Sequence, residues 1–153
     1  MIVKIDPEII PFGEYVQDFC KNPYPLHSKG CPNYGKKQGC PPCSLIDKEL
    51  DFKRDLYLIY TEFKIGEFAE RMKEKYPHWT EKQTYNCRLW QPRARKEHNL
   101  EIEKAKKEYS IDVIKSPEAK GVNVNLLMAK IGIKLEWPPR KITRVVSIGG
   151  YKK

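Results

Sequence analysis

The side chains most able to do chemistry lie in one window, residues 20 to 43. It holds four of the five cysteines, Cys20, Cys31, Cys40 and Cys43, together with His27. Five of the twelve prolines share it: Pro23, Pro25, Pro32, Pro41 and Pro42. Proline removes a backbone donor and fixes φ, so this stretch cannot run as a regular helix. It also has too few large apolar side chains to order itself by burial. Thiolates gathered on a soft metal offer the alternative, and cysteine sulfur suits both iron–sulfur clusters and zinc.

The spacing is Cys-x10-Cys-x8-Cys-x2-Cys, and the closing Cys40-Pro41-Pro42-Cys43 has the two-residue gap used by both metal types. Zinc ribbons and knuckles usually carry two close ligand pairs, and this chain has one. His27 can complete a mixed zinc site with Cys20, Cys31 and Cys40, although that spacing is not a standard zinc pattern. Cys31 and Cys40 are each followed by proline, as at the end of bacterial ferredoxin runs. The expected cofactor is therefore an iron–sulfur cluster of the [4Fe–4S] type, with zinc as the alternative. A redox dithiol at Cys40 and Cys43 fits less well, because the pair follows a Pro/Gly loop and not a strand.

Cys31-Pro32-Asn33-Tyr34-Gly35 followed by Cys40-Pro41-Pro42 resembles the signature of a family of small predicted metal-binding proteins. In that family a Cys…Cys-Pro-x-Tyr-Gly…Cys-Pro-Pro pattern is thought to hold a metal or iron–sulfur centre. The resemblance covers about residues 20 to 42, with Cys20 as the upstream cysteine. It implies metal binding by Cys20, Cys31 and Cys40 and no defined reaction. Cys43 falls outside the pattern. If Cys43 is a ligand, four thiolates close the site. If it is not, a [4Fe–4S] cluster keeps one iron open to a ligand.

Outside the window, Cys87 reads as a core cysteine on the face of Trp90, or as a distant further ligand. His98 reads as a core histidine with one satisfied nitrogen, and His78 as a loop residue. Basic residues gather at Arg88, Arg93, Arg95 and Lys96 around Trp90, and at Arg140, Lys141 and Arg144 after Trp137-Pro138-Pro139. Arginine beside exposed aromatic rings suits phosphate contact with base stacking. The bland alternative is a charged helix exterior, with Glu97, Glu101, Glu103 and Glu108 as salt-bridge partners. There is no P-loop, GxGxxG or GxSxG, and Gly149-Gly150 is too short to cradle a phosphate.

The totals agree with an anionic partner. The formal charge is +9 over 153 residues, which favours nucleic acid or another anion over an acidic protein. Two readings follow: an iron–sulfur protein with redox or sulfur chemistry on a nucleotide or nucleic acid, or a non-enzymatic nucleic-acid-binding module pinned by structural zinc. No signal-peptide pattern and no membrane-length apolar run is present, so the expected location is cytoplasmic, where clustered cysteines more often mean metal than disulfides.

Positioning these groups requires a scaffold, and the rest of the chain reads as one. The alternation predicts a single small α/β or α+β domain, residues 1–153, a sheet flanked by helices with 20–43 as an appended loop. Residues 1–5, Asp55–Phe63, Ser110–Ser116, Leu135–Trp137 and Ile142–Ile148 are the strand candidates. The run from Leu56 to Thr61 predicts a central strand covered on both faces. Phe12–Phe19 predicts a turn of helix, Ser44 a cap for a short one, and Ile65 to Tyr76 a helix stopped by Pro77. Thr80 and Gln83 form a capping-box pattern. Pro92 predicts a break, with a new helix from Pro92 to about Tyr109 and Ala94, His98, Ile102, Ala105 and Tyr109 along one stripe. Asn123 predicts a capped helix ending at Gly132.

Overall fold

A computed structural model of the chain describes residues 1–23 and 27–153. Four strands, β1 (Ile2–Ile5), β2 (Leu56–Phe63), β3 (Asp112–Ile114) and β4 (Thr143–Gly150), form one sheet in the order β1-β2-β4-β3. Every pairing is antiparallel. The helices are α1 (Glu14–Gln17), α2 (Ile46–Glu49), α3 (Ile65–Lys75), α4 (Glu81–Thr84), α5 (Cys87–Tyr109) and α6 (Val124–Lys130), with 3-10 turns at Pro7–Ile9, Asp18–Lys21 and Pro117–Lys120. The chain is an α+β fold.

Strand β2 is central, as its unbroken apolar run requires. Side chains alternate across a strand. Leu56, Leu58 and Tyr60 pack on one face with Leu127 and Met128 of α6 and Ile46 and Leu50 of the α2 segment. Tyr57 and Ile59 pack on the other with Ile102 and Ala105 of α5. Ile65 and Phe68 of α3 meet Trp90 and Ala94 of α5 beside them. Gly149 and Gly150 are part of β4. A Cβ at Gly149 would stand 2.5 Å from Ile111, and one at Gly150 2.5 Å from Leu56. Their role is close packing.

Thr80 and Gln83 make the reciprocal capping-box bonds, Asn123 caps α6, and α3 stops ahead of Pro77. Three expectations need correction. The break expected at Pro92 falls earlier, at Tyr85–Asn86, and α5 runs through Pro92. Asn86 accepts from the amide of Arg88 and starts the helix. Pro92 then sits in an early turn, where its missing donor spares only the carbonyl of exposed Arg88. The cap expected at Ser44 is Leu45 instead, without a side-chain bond. Leu135–Trp137 is a loop and not a strand. There the Glu136 carboxylate folds back onto the amides of Arg140 and Lys141.

Candidate metal centre and basic groove

Cys20 closes a short helical run. Helix α1 passes directly into the 3-10 turn Asp18–Lys21, which carries it. The Cys31 amide donates to the Cys20 carbonyl at 2.7 Å, joining the first two cysteines through the backbone. Gly30 makes this approach possible. Its φ is +84°, and a Cβ there would stand 2.6 Å from the carbonyl oxygens of Cys20 and Lys21. From residue 28 to residue 45 the chain is turns and bends, with no helix or strand. The Gly35 amide donates to the Pro41 carbonyl at 2.6 Å, and the Cys40 amide to Lys37 at 3.0 Å. Tyr24, Pro25 and Leu26 of the expected loop lie outside the described residues.

These turns bring Cys20, Cys31 and Cys40 onto one wall of a cavity of about 680 Å³. Glu118, Trp137 and Arg144 stand among the residues lining the rest of it. All four cysteines of the window are half-buried and free of disulfides. Desolvation raises the Cys20 pKa, and the neighbouring sulfurs of Cys31, Cys40 and Cys43 raise it further. A bound cation would reverse the sign of that effect on Cys20. Among the described residues, no three His, Cys, Asp or Glu side chains converge closely enough as placed to hold a single ion. The three thiols share a wall, not a point.

Cys43 is placed differently. Its thiol donates to the Ala119 carbonyl at 3.0 Å, and it does not line the cavity. The buried Gln17 amide donates to the Cys43 carbonyl at 2.9 Å and to the Ala119 carbonyl at 3.0 Å. Gln17, Cys43 and Ala119 thus fasten the end of the loop to the Pro117–Lys120 turn. His27 is half-buried and lines neither this cavity nor the next.

A second cavity, of about 960 Å³, shares Glu118, Trp137, Thr143 and Arg144 with the first. Its cationic lining is Lys37, Arg95, Lys115, Arg140 and Arg144. The cysteine loop supplies Lys37, α5 supplies Arg95, and the segment after β3 supplies Lys115. Trp137, on the wall common to both cavities, is 89% exposed. Glu118 opens onto both, and desolvation in that concave setting raises its carboxyl pKa.

Of the basic residues singled out in the sequence, Arg95, Arg140 and Arg144 line this groove, while Arg88, Arg93, Lys96 and Lys141 do not. Arg93 instead lies over the Phe68 ring at 5.3 Å. Arg140 pairs with Glu81 at 3.1 Å and stacks over Tyr85. Two of the four expected glutamate partners serve other cations: Glu101 pairs with Lys104 and the N-terminus, and Glu103 with Lys106. Among the described residues no carboxylate pairs with Lys37, Arg95 or Lys115.

Cys87 lies on the groove and not in the cysteine cavity. It is exposed, against the core position expected, because α5 begins beyond the packed face that Trp90 enters. His98 is buried, as its stripe requires, and both ring nitrogens are satisfied. Nε2 lies 2.7 Å from the Ser147 hydroxyl and Nδ1 3.1 Å from that of Thr61. Ser147 donates to the Lys115 carbonyl, so His98 donates through Nε2 and accepts at Nδ1. Burial pushes its pKa down to about 4.

Sequence reasoning did not find Lys37, Lys115, Glu118 or Gln17. Each belongs to the site through tertiary folding, and none stands in a spacing pattern. No protein-family model, no curated protein and no solved structure matches the chain. No helix among the described residues is long and apolar enough to cross a membrane.

Proposed function

We propose that the cysteine loop is a metal centre: Cys20, Cys31 and Cys40 would hold an iron–sulfur cluster of the [4Fe–4S] type and leave one iron without a protein thiolate. The observation that carries this reading is the division among the cysteines. Three line the cavity, while the fourth does not and is hydrogen-bonded to the Ala119 carbonyl. The donor set fits the group, since it is soft and half-buried, and a bound cation would offset the desolvation that holds the Cys20 pKa up. Such a cluster supplies electron transfer or a Lewis-acidic iron for a sulfur or oxygen ligand.

The chain's own part is to shape what reaches that position. Val16, Val122 and Val146 give part of the cavity an apolar lining. Glu118, with its raised pKa, is the carboxyl best placed to hold a proton there. Arg144 supplies positive charge at the junction with the groove. The centre would act on an anionic substrate entering from the basic side.

Anaerobic purification followed by iron, sulfide and zinc analysis tests the reading. The expected result is a brown protein with iron and acid-labile sulfide in about equal amounts. A colourless protein with one tightly held zinc would replace it with the structural-zinc alternative.

A further inference from the structure

We infer that the groove beside the cysteine cavity binds single-stranded nucleic acid, with one base stacked on Trp137 and the neighbouring phosphates on Lys37, Arg95 and Lys115. Three features carry this. The first is unspent charge. Most basic side chains of a soluble surface are neutralised locally or scattered, but here three cations from separate segments line one groove without a carboxylate partner among the described residues. Segments distant in sequence have been brought together at a single concave surface, which a lysine-rich exterior does not require.

The second is Arg144. Its side chain is only 17% exposed, and its Nε–H is buried without a hydrogen-bond acceptor among the described residues. The nearest carboxylate oxygen, on Glu62, lies at 3.6 Å, beyond hydrogen-bond reach. That long ion pair compensates only part of the hydration the buried Nε–H has lost. Arg144 lines both cavities, so its guanidinium adds positive charge for an anion seated there while Nε keeps its ion pair with Glu62.

The third is Trp137. An indole 89% exposed on a rigid Trp-Pro-Pro segment gains nothing from the fold. Beside a row of cations it is a stacking platform for a base, and this pairing of aromatic face and basic groove is the sequence-tolerant mode of single-strand binding. A duplex hides its base faces and cannot use such a platform. Because Trp137 also borders the cysteine cavity, a nucleotide stacked on it lies at that cavity's mouth. The inference does not depend on the proposed cluster, and metal-free and reconstituted protein can be assayed in parallel.

The test is fluorescence anisotropy of a labelled mixed-sequence strand of about 12 nucleotides, as DNA and as RNA, titrated with the full chain over a range of salt. Binding of either strand with log K falling against log salt at a slope of about −2 or steeper is expected, since each phosphate on a single strand contributes about −0.7. Alanine at Lys37, Arg95 or Lys115 should each flatten the slope by about 0.7. Lys107→Ala, on the exposed far half of α5, should leave it unchanged. Trp137→Ala, at a position the core does not use, should weaken binding about 5- to 150-fold. A salt-independent affinity, duplex bound as tightly as single strand, a mononucleotide bound as tightly as the longer strand, or an equal loss in Lys107→Ala would each overturn the proposal. Iron content of the same samples separates this outcome from failure of the metal reading.

Discussion

The sheet and the cysteine loop are ordered by different means. Around β2 and β4, the side chains Leu56, Leu58, Ile59, Phe68, Ile102 and Ile148 are all at most 1% exposed. Burial on that scale fixes strand register and helix position without help. Residues 28 to 45 hold tight turns, proline and half-buried thiols, and only a few hydrogen bonds tie them to the body. The sheet carries its cohesion in its side chains. The loop has a shape whose own side chains supply little cohesion, and under the proposed function a bound cation would supply the rest. The lesson is that the scaffold and the site can fail separately.

That separation is open to direct attack. The largest effect should come from the scaffold. Phe68→Ala empties a fully buried position and should cost about 3–5 kcal/mol in urea unfolding. The protein that remains folded should still load iron at the loop. Iron lost from folded Phe68→Ala would show that the two regions are coupled.

The next effect is pH-dependent and also belongs to the scaffold. His98 has a pKa of about 4 in the folded protein, against an ordinary 6.5. The unfolded chain therefore binds more protons between those values, and stability must rise with pH across that window. About 2–3 kcal/mol should be gained between about pH 4 and pH 7. It should be present above the unfolded value and lost toward the folded one. His98→Gln keeps hydrogen-bonding capacity and should abolish this slope in denaturant titrations. A slope that survives the substitution would place the titration on another group.

Gly30→Ala reverses the expectation. Its φ of +84° and the nearby Cys20 carbonyl leave no place for a methyl group, so the Cys20–Cys31 junction must shift. Metal affinity should fall about 10- to 100-fold, the range seen when support behind a metal ligand is removed. The urea midpoint of the body should barely move. An unchanged iron affinity would mean that the loop geometry is irrelevant to the centre.

The same contrast explains what could be read from the amino acids. The central strand, the buried stripe from Ala94 to Ala105 and the caps at Thr80 and Asn123 all express local periodicity or local hydrogen bonding, and each was legible. The start of α5 was not, because Pro92 reads as a boundary although the helix runs through it, and the residue that caps the helix is Asn86. Leu135–Trp137 imitates a strand because apolar alternation over three residues cannot report that Glu136 folds back on its own loop. At the site, cysteine spacing pointed to the residues but not to their division. Cys43 is turned away by Gln17 and Ala119, which are far from each other in sequence. Lys37, Lys115 and Glu118 meet only after the chain has folded.

The division among the cysteines is the claim on which the account rests, and one paired measurement addresses it. Cys40→Ser and Cys43→Ser are reconstituted anaerobically with iron and sulfide and compared by visible absorbance and electron paramagnetic resonance of the reduced protein. The serine hydroxyl at position 43 can still donate to Ala119, so the fold is preserved in that variant. Cys43→Ser is expected to keep the cluster at wild-type iron content, while Cys40→Ser loses it. Loss of the cluster in Cys43→Ser would contradict the account and make Cys43 the ligand that closes the site.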